Sequence, residues 1–150
     1  MYITKDILLH IKAFELFNLF KESGYTGLDS KIINDATEDL SNFIARDAVE
    51  ILFFLVNNLL IWKYFNREFR DNPTLFFQKK DEIKFRRLDI LHILNIIPTL
   101  EEKMNTELEN IYARFFEASI ETEFCKDIYP KICPFTIEQV LDVNFYPENE

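Results

Sequence analysis

Hydrophobic side chains recur along the chain at the three-to-four-residue spacing that is typical of amphipathic helices. The densest apolar run covers residues 49–62 and reads VEILFFLVNNLLIW. This run is shorter than the roughly 20 apolar residues that a bilayer span requires, and Arg46, Asp47 and Lys63 flank it. The pattern therefore predicts a buried core helix over about residues 47–70, not a membrane-spanning helix.

The same spacing predicts further helices on both sides of this central helix. Gly24 stands where a glycine caps the C-terminus of a first helix, Asn72-Pro73 marks the end of the central helix, and Pro98 breaks a later one. Thr136 with Gln139 matches a capping box at the start of the last helix. The structure of residues 72–82 and the break between the second and third helices stay open. The predicted helices cover residues 4–22, 30–45, 47–70, 81–97 (or 82–97), 100–122 and 136–142.

Glycine is rare in this sequence, which argues against a sheet. The chain has 2 glycines among 150 residues, whereas a sheet protein needs turn residues every few positions. We therefore predict an all-α fold in which residues 1–150 form a single compact bundle of five to seven helices. Asn57 and Asn58 interrupt the apolar run, so we expect at least one of them to be hydrogen-bonded or to reach the surface.

The beginning of the sequence lacks the basic start and apolar stretch of a signal peptide, so we expect a cytoplasmic protein. The two cysteines, Cys125 and Cys133, are then expected to remain thiols, although their spacing also permits a disulfide. Neither the cysteines nor the carboxylates have metal-ligand spacing. We expect no metal and no cofactor.

The chain has a net charge of −9, and its charged residues are unevenly distributed along the sequence. Residues 1–62 carry a net charge of −4, residues 63–87 carry +4, and residues 88–150 carry −9. Because a negative field repels nucleic acid and attracts cations, the balance favours a basic protein as partner. Nucleic acid and membranes are not expected partners.

One predicted helix, residues 100–122, combines a regular apolar stripe with an acidic opposite side. The stripe contains Leu100, Met104, Leu108, Ile111, Phe115 and Ala118. Carboxylates surrounding an apolar pair on the other side resemble a protein interface, which has an apolar anchor and a polar rim. An equally simple interpretation is that the helix packs on two sides and its acids are solvated. The predicted partner-binding residues are Glu102, Glu109, Phe116, Glu117, Ile120 and Glu123.

The basic segment of residues 63–87 interleaves lysines and arginines with aromatic side chains. Such mixing is typical of single-strand nucleic-acid surfaces, where rings stack on bases and cations contact phosphates. The alternative is that the rings face the core while the cations solvate the helix. The acidic balance of the whole chain favours this second interpretation.

An arginine precedes a histidine by five positions in the stretch Arg87-Leu-Asp-Ile-Leu-His92. This stretch resembles the Arg-x4-6-His motif of HEPN-domain ribonucleases, which are helical bundles. The resemblance implies that Arg87 holds a phosphate and that His92 transfers protons at the ribose. It covers six residues, and Leu88 stands where the family usually has a polar residue.

No nucleophile arrangement and no glycine-rich phosphate loop is present in the sequence, so we predict a binding protein and not an enzyme. The hypothesis that fits the charge is an immunity or antitoxin-type inhibitor that occludes a basic toxin such as a nuclease. One alternative is a HEPN-like ribonuclease toxin that uses Arg87 and His92. Another is a phage or viral protein that binds a host factor, since the wealth of Ile, Asn, Lys and Phe is typical of AT-rich genes.

Overall fold

The structure, a computed structural model, describes residues 5–24, 30–65, 67–121 and 128–148. These residues form helices and connecting turns and contain no strand, which confirms the predicted all-α bundle. Six helices lie within the described ranges. They are α1 (Lys5–Glu22), α2 (Ser30–Tyr64), α3 (Arg67–Arg70), α4 (Pro73–Ile96), α5 (Leu100–Glu121) and α6 (Ile137–Leu141).

Helix α2 is the centre of the bundle, because α1, α4, α5 and α6 all pack against it. Helix α4 runs antiparallel to α2: Trp62 contacts Phe76, with ring centroids 4.9 Å apart, while Arg86 lies 4.8 Å above the ring of Phe54. Helix α5 contacts α2 through Phe115 and other core residues. The fully buried apolar side chains of α2 are Ile44, Leu52, Leu55, Val56, Leu59 and Leu60.

The prediction of two separate helices over residues 30–45 and 47–70 was wrong. One continuous helix of 35 residues covers Ser30–Tyr64, about 52 Å at 1.5 Å per residue. No glycine or proline interrupts it. Asp47, the predicted start of the central helix, lies in mid-helix, and its carboxylate is 3.5 Å from His10 Nδ1 on α1.

The boundary after the apolar run also differs from the prediction. Helix α2 ends at Tyr64 instead of Arg70, since the chain must reverse here for α4 to return along α2. Asn72 and Pro73 do not end a helix. They begin α4, because the Asn72 side chain accepts a hydrogen bond from the Leu75 N–H at 3.3 Å and proline occupies the first turn. Helix α4 therefore starts eight residues before the predicted position at Asp81.

Several local predictions are confirmed. Gly24 follows α1 with φ 64°, the left-handed conformation of a glycine cap. Thr136 caps α6 in a capping box, in which the Thr136 hydroxyl accepts from the Gln139 N–H and the Gln139 side chain accepts from the Thr136 N–H. Asn58 is buried and accepts a hydrogen bond from Lys79 Nζ at 3.5 Å, while Asn57 is partly exposed.

Among the residues that the structure describes, Arg87 has the largest fully buried side chain. From α4 it donates Nε–H to the Val140 carbonyl at 2.7 Å and Nη2–H to the Gln139 carbonyl at 3.4 Å. The last carbonyls of a helix have no hydrogen-bond donor within the helix, and the Arg87 guanidinium supplies donors to two of these carbonyls in α6. Its carbon also lies 5.3 Å from the centroid of the Tyr146 ring. Arg87 thereby attaches both α6 and the following segment to the bundle.

Tyr112 attaches the segment before α6. It is 2% exposed, and its hydroxyl donates a hydrogen bond to the Pro130 carbonyl at 2.5 Å. Burial raises the pKa of the Tyr112 phenol far above its ordinary value. Cys133 lies close by as a free thiol whose pKa burial also raises. Cys125 lies outside the described residues.

Replacing Arg87 by methionine should destabilise the protein by about 3 kcal/mol, because the buried Val140 carbonyl and the partly buried Gln139 carbonyl lose their donor. The matched control is Arg86→Met on the next position of α4. Arg86 is partly exposed and contributes a ring contact with Phe54, so its loss should cost below about 1 kcal/mol. Urea unfolding measures both, and equal values for the two variants would contradict the role assigned to Arg87.

Tyr112→Phe should reduce the sensitivity of the fold to alkaline pH. In the unfolded chain the phenol ionises near pH 10, whereas the raised pKa keeps it protonated in the folded protein. The contribution of the Tyr112 phenol to folding stability is therefore fully present below about pH 10 and decreases as the pH rises further. Thermal unfolding between about pH 9 and pH 11 should show a smaller fall in Tm for the variant. Parallel curves for the two proteins would refute this.

Candidate functional site

The outward side of α5 carries most of the residues expected to bind a partner. Glu102, Glu109 and Glu117 are exposed, and Ile120 is 47% exposed. Glu123, the sixth predicted residue, lies outside the described residues. We call Glu102, Glu109, Glu117 and Ile120 the acidic face.

Phe116 differs from its expected role as an outward anchor, because it is half-buried and packs against the core. The buried side of α5 rotates along the helix. It contains Met104 and Leu108 near the start and Tyr112 and Ser119 towards the end, while Ala118, expected in the core, is exposed. Such a shift arises when a helix crosses its neighbour at an angle.

A cleft lies at the N-terminal end of the acidic face. Its volume is about 470 Å³, and we call it the Glu102 cleft. Helix α6 forms one wall through Ile137 and Glu138, and the beginning of α5 forms another. No lysine or arginine lines it. The lining residues are Pro98, Thr99, Glu101, Glu102, Asn105, Ile137 and Glu138.

A second cleft adjoins the first and shares Glu101, Ile137 and Glu138 with it. Its volume is about 440 Å³, and we call it the Leu141 cleft. It has an apolar floor between α4 and α6 and a rim of carboxylates, and its lining also lacks a basic residue. The lining residues are Leu91, Leu94, Asn95, Glu101, Ile137, Glu138, Leu141 and Asp142.

Among the carboxylates of these clefts, that of Glu138 is stabilised in its charged form. The Glu138 N–H and the Thr136 side chain hydrogen-bond to the Glu138 carboxylate and lower its pKa. Glu101 and Glu102 form no ion pair within the described ranges. The acidic face and the two clefts therefore form one negative surface that lies across α5 and α6.

Arg87 and His92 do not meet at a common surface. Five residues apart on one helix, they project about 140° from one another. The Arg87 guanidinium is buried on two backbone carbonyls, and burial lowers its pKa, whereas His92 is exposed. The geometry thus assigns Arg87 a structural contact with α6.

The cations of residues 63–87 are largely engaged by the protein itself. Lys79 pairs with Glu82 at 2.8 Å, Lys80 lies 5.1 Å from the centroid of the Tyr146 ring, and Arg86 lies over Phe54. Lys84 is exposed. Within this segment the rings of Tyr64 and Phe76 pack against the core, as the second interpretation expects, whereas the ring of Phe77 is 62% exposed.

Sequence comparison places the chain in a family. A family model described as "domain of unknown function DUF29" matches residues 10–146 of the chain. The chain belongs to the DUF29 family. No curated protein and no solved structure matches it. Among the residues that the structure describes, no helix is long and apolar enough to cross a bilayer, and no group of three His, Cys, Asp or Glu side chains is placed to hold a metal ion.

Sequence reasoning missed the α6 half of the negative surface. Glu138 and Asp142 are acidic positions in a short capped helix, and that local signal does not indicate where the helix lies. In the sequence, nothing distinguishes Leu91 and Leu94, which line the Leu141 cleft, from the other apolar residues of α4. The clefts exist because Arg87 holds α6 against α4, a contact between residues 53 positions apart.

Alanine substitutions on α5 measure which side of the helix is packed. Phe116→Ala should lower the free energy of unfolding by about 2 kcal/mol, because it removes a half-buried ring from the core edge. Ile120→Ala should change it by less than about 0.5 kcal/mol. Chemical denaturation of both variants tests this, and a larger loss for Ile120→Ala would reverse the assignment.

Proposed function

We propose that the protein binds a basic protein partner through the acidic face and the adjoining Glu102 cleft. The observation that carries the proposal is the continuous negative surface formed by Glu101, Glu102, Glu109 and Glu138, with Ile120 at its far end. Apolar contacts supply affinity in an interface, whereas complementary charge speeds association and selects the partner.

The partner is expected to carry lysines or arginines around a small apolar projection. The Glu102 cleft offers Pro98 and Ile137 as apolar walls within a carboxylate rim. Ile120 supplies a second apolar contact on the acidic face. A partner of this chemistry neutralises carboxylates that have no cation of their own within the described ranges.

The narrower form of the proposal is an immunity or antitoxin-type inhibitor that occludes a basic toxin, for example a nuclease. A nuclease must present cations to the phosphates of its substrate. An acidic surface of similar extent blocks such a site by occupying it, without chemistry of its own. The net charge of −9 and the concentration of carboxylates on α5 and α6 support this form.

Charge reversal at two positions tests the proposal. Glu102→Lys with Glu109→Lys should weaken binding to the captured basic partner at least about tenfold, which is ~1.4 kcal/mol. The matched control is Glu38→Lys with Asp39→Lys, exposed positions of α2 that change the net charge by the same amount. Affinity capture followed by calorimetric titration of the identified partner gives the comparison.

Equal weakening by both double variants would show that net charge and not the acidic face governs binding. Capture of acidic or neutral proteins only would contradict the proposal altogether. For the narrower form, the captured protein must be a toxin or nuclease whose activity falls on addition of the protein. An active partner in the presence of saturating protein would refute the inhibitor role.

A further inference from the structure

Apolar side chains lie on both sides of helix α1. Ile7 and Ile11 are buried in the core, where α1 packs against α2. On the side that faces away from the bundle, Leu9 is 56% exposed, Leu16 51% and Leu19 60%. A surface helix normally has polar side chains on its outward side. Single exposed leucines are ordinary, but three within about three turns of one helix mark a surface that binds another apolar surface.

The three leucines belong to a wider outward face of α1. At 100° per residue, six side chains lie within an arc of about 120° that is centred nearly opposite Ile7 and Ile11. Four of them are exposed, Ala13 and Phe20 are partly exposed, and Lys12 is the one charged member. We call this set the α1 leucine face. Its residues are Leu9, Lys12, Ala13, Leu16, Leu19 and Phe20.

The charges of α1 cancel, although the whole chain has a net charge of −9. The three lysines and three carboxylates in its sequence are Lys5, Lys12 and Lys21 against Asp6, Glu15 and Glu22. A neutral helix does not select a basic partner through its field, and two copies of an acidic chain meet here with less repulsion than at the carboxylates of α5 and α6. The charge therefore favours a second copy of this chain as the occupant of the α1 leucine face.

We propose that two copies of this chain associate through the α1 leucine face, with the two α1 helices antiparallel about a two-fold axis level with residue 14. Positions equally far before and after residue 14 then lie at the same level in the two copies. Leu9 of each copy packs against Leu19 of the other. An interface in which one patch meets itself through a two-fold axis is the commonest form of homodimer.

The centre of the face is self-complementary in shape. Leu16 lies two positions beyond the axis, so the two Leu16 side chains are about 6 Å apart along the helices, one on each side of the axis. Ala13 lies one position before the axis. Each Leu16 is therefore within about 1.5 Å of the level of Ala13 of the second copy, whose small side chain leaves room for the leucine.

The charges at the edge of the face are also self-complementary. Lys12 and Glu15 are exposed on the same edge of α1, and neither forms an ion pair within the described residues. The two-fold axis keeps this edge common to both copies and places Lys12 within about 1.5 Å of the level of Glu15 of the second copy. Two opposite-charge pairs form in this way.

A parallel pair of α1 helices lacks this match. It would set Lys12 level with Lys12 of the second copy, and on the opposite edge from the second copy's Glu15. Leu9 would then lie level with Leu9, and the ends of the leucine face would not exchange partners. Charge complementarity therefore selects the antiparallel arrangement.

The test is the oligomeric state, measured by sedimentation equilibrium at about 100 µM protein, a concentration that populates dimers of micromolar dissociation constant. Wild-type protein is expected to be dimeric. Leu16→Glu should weaken the dimer at least about tenfold, because it places two carboxylates beside the axis. Its far-ultraviolet circular dichroism should match that of wild type, since Leu16 is exposed. The matched control is Leu88→Glu, an exposed leucine on the outer side of α4 (44%), which should leave the dimer intact.

A charge swap tests the orientation of the two copies. Lys12→Glu alone and Glu15→Lys alone should each weaken the dimer, because each brings like charges together on both sides of the axis. A chain that carries both substitutions should recover the dimer, since opposite charges again face one another between the copies. Failure of the double variant to recover association would refute the antiparallel arrangement.

Monomeric wild-type protein at this concentration would overturn the proposal, as would a dimer that survives Leu16→Glu. Monomeric protein that cosediments with phosphatidylcholine vesicles would show that a lipid surface covers the face instead. These outcomes are independent of the proposed binding of a basic partner, because none of the α1 substitutions changes the acidic face. The variants at Glu102 and Glu109 measure that binding separately.

Discussion

Burial of one long helix is the constraint on which the rest of the structure depends. Helix α2 is lined with fully buried apolar side chains such as Leu52, Leu55 and Leu59, and α1, α4 and α5 each cover a different part of it. Because these helices lose their apolar surface mainly against α2, its continuity fixes where each of them lies. An interruption of α2 near Asp47 would separate α1 from the remainder of the bundle.

Arg87 is the second determinant, and it acts on the part of the chain that carries the acidic clefts. A helix of five residues has little stability of its own. The buried guanidinium bonds the terminal carbonyls of α6, and the capping box at Thr136 satisfies its other end. With α6 held in this way, Glu138 and Asp142 join the carboxylates of α5, and a negative surface forms from two distant segments.

The negative surface and the outer side of α4 differ in character and meet at the Leu141 cleft, which Glu101 and Glu138 line together with Leu91 and Leu94. On α5 and α6 the carboxylates predominate and apolar contacts are few, as in a surface that selects a cationic partner. On α4 exposed apolar residues lie between lysines at one end and carboxylates at the other. The basic segment that sequence reasoning set apart therefore contributes to packing through its rings and to the α4 surface through Lys80 and Lys84.

The sequence by itself determined what depends on neighbouring residues: the all-α class, the glycine cap at Gly24, the break at Pro98 and the capped helix after Thr136. Tertiary structure alone decided the continuity of α2, the burial of Phe116 and the position of α6. Periodicity indicates that a helix has an apolar side, but the neighbouring elements decide how far that side extends. Arg87 shows the reason most clearly, since a charged residue is buried here only because carbonyls more than fifty positions away need its hydrogen bonds.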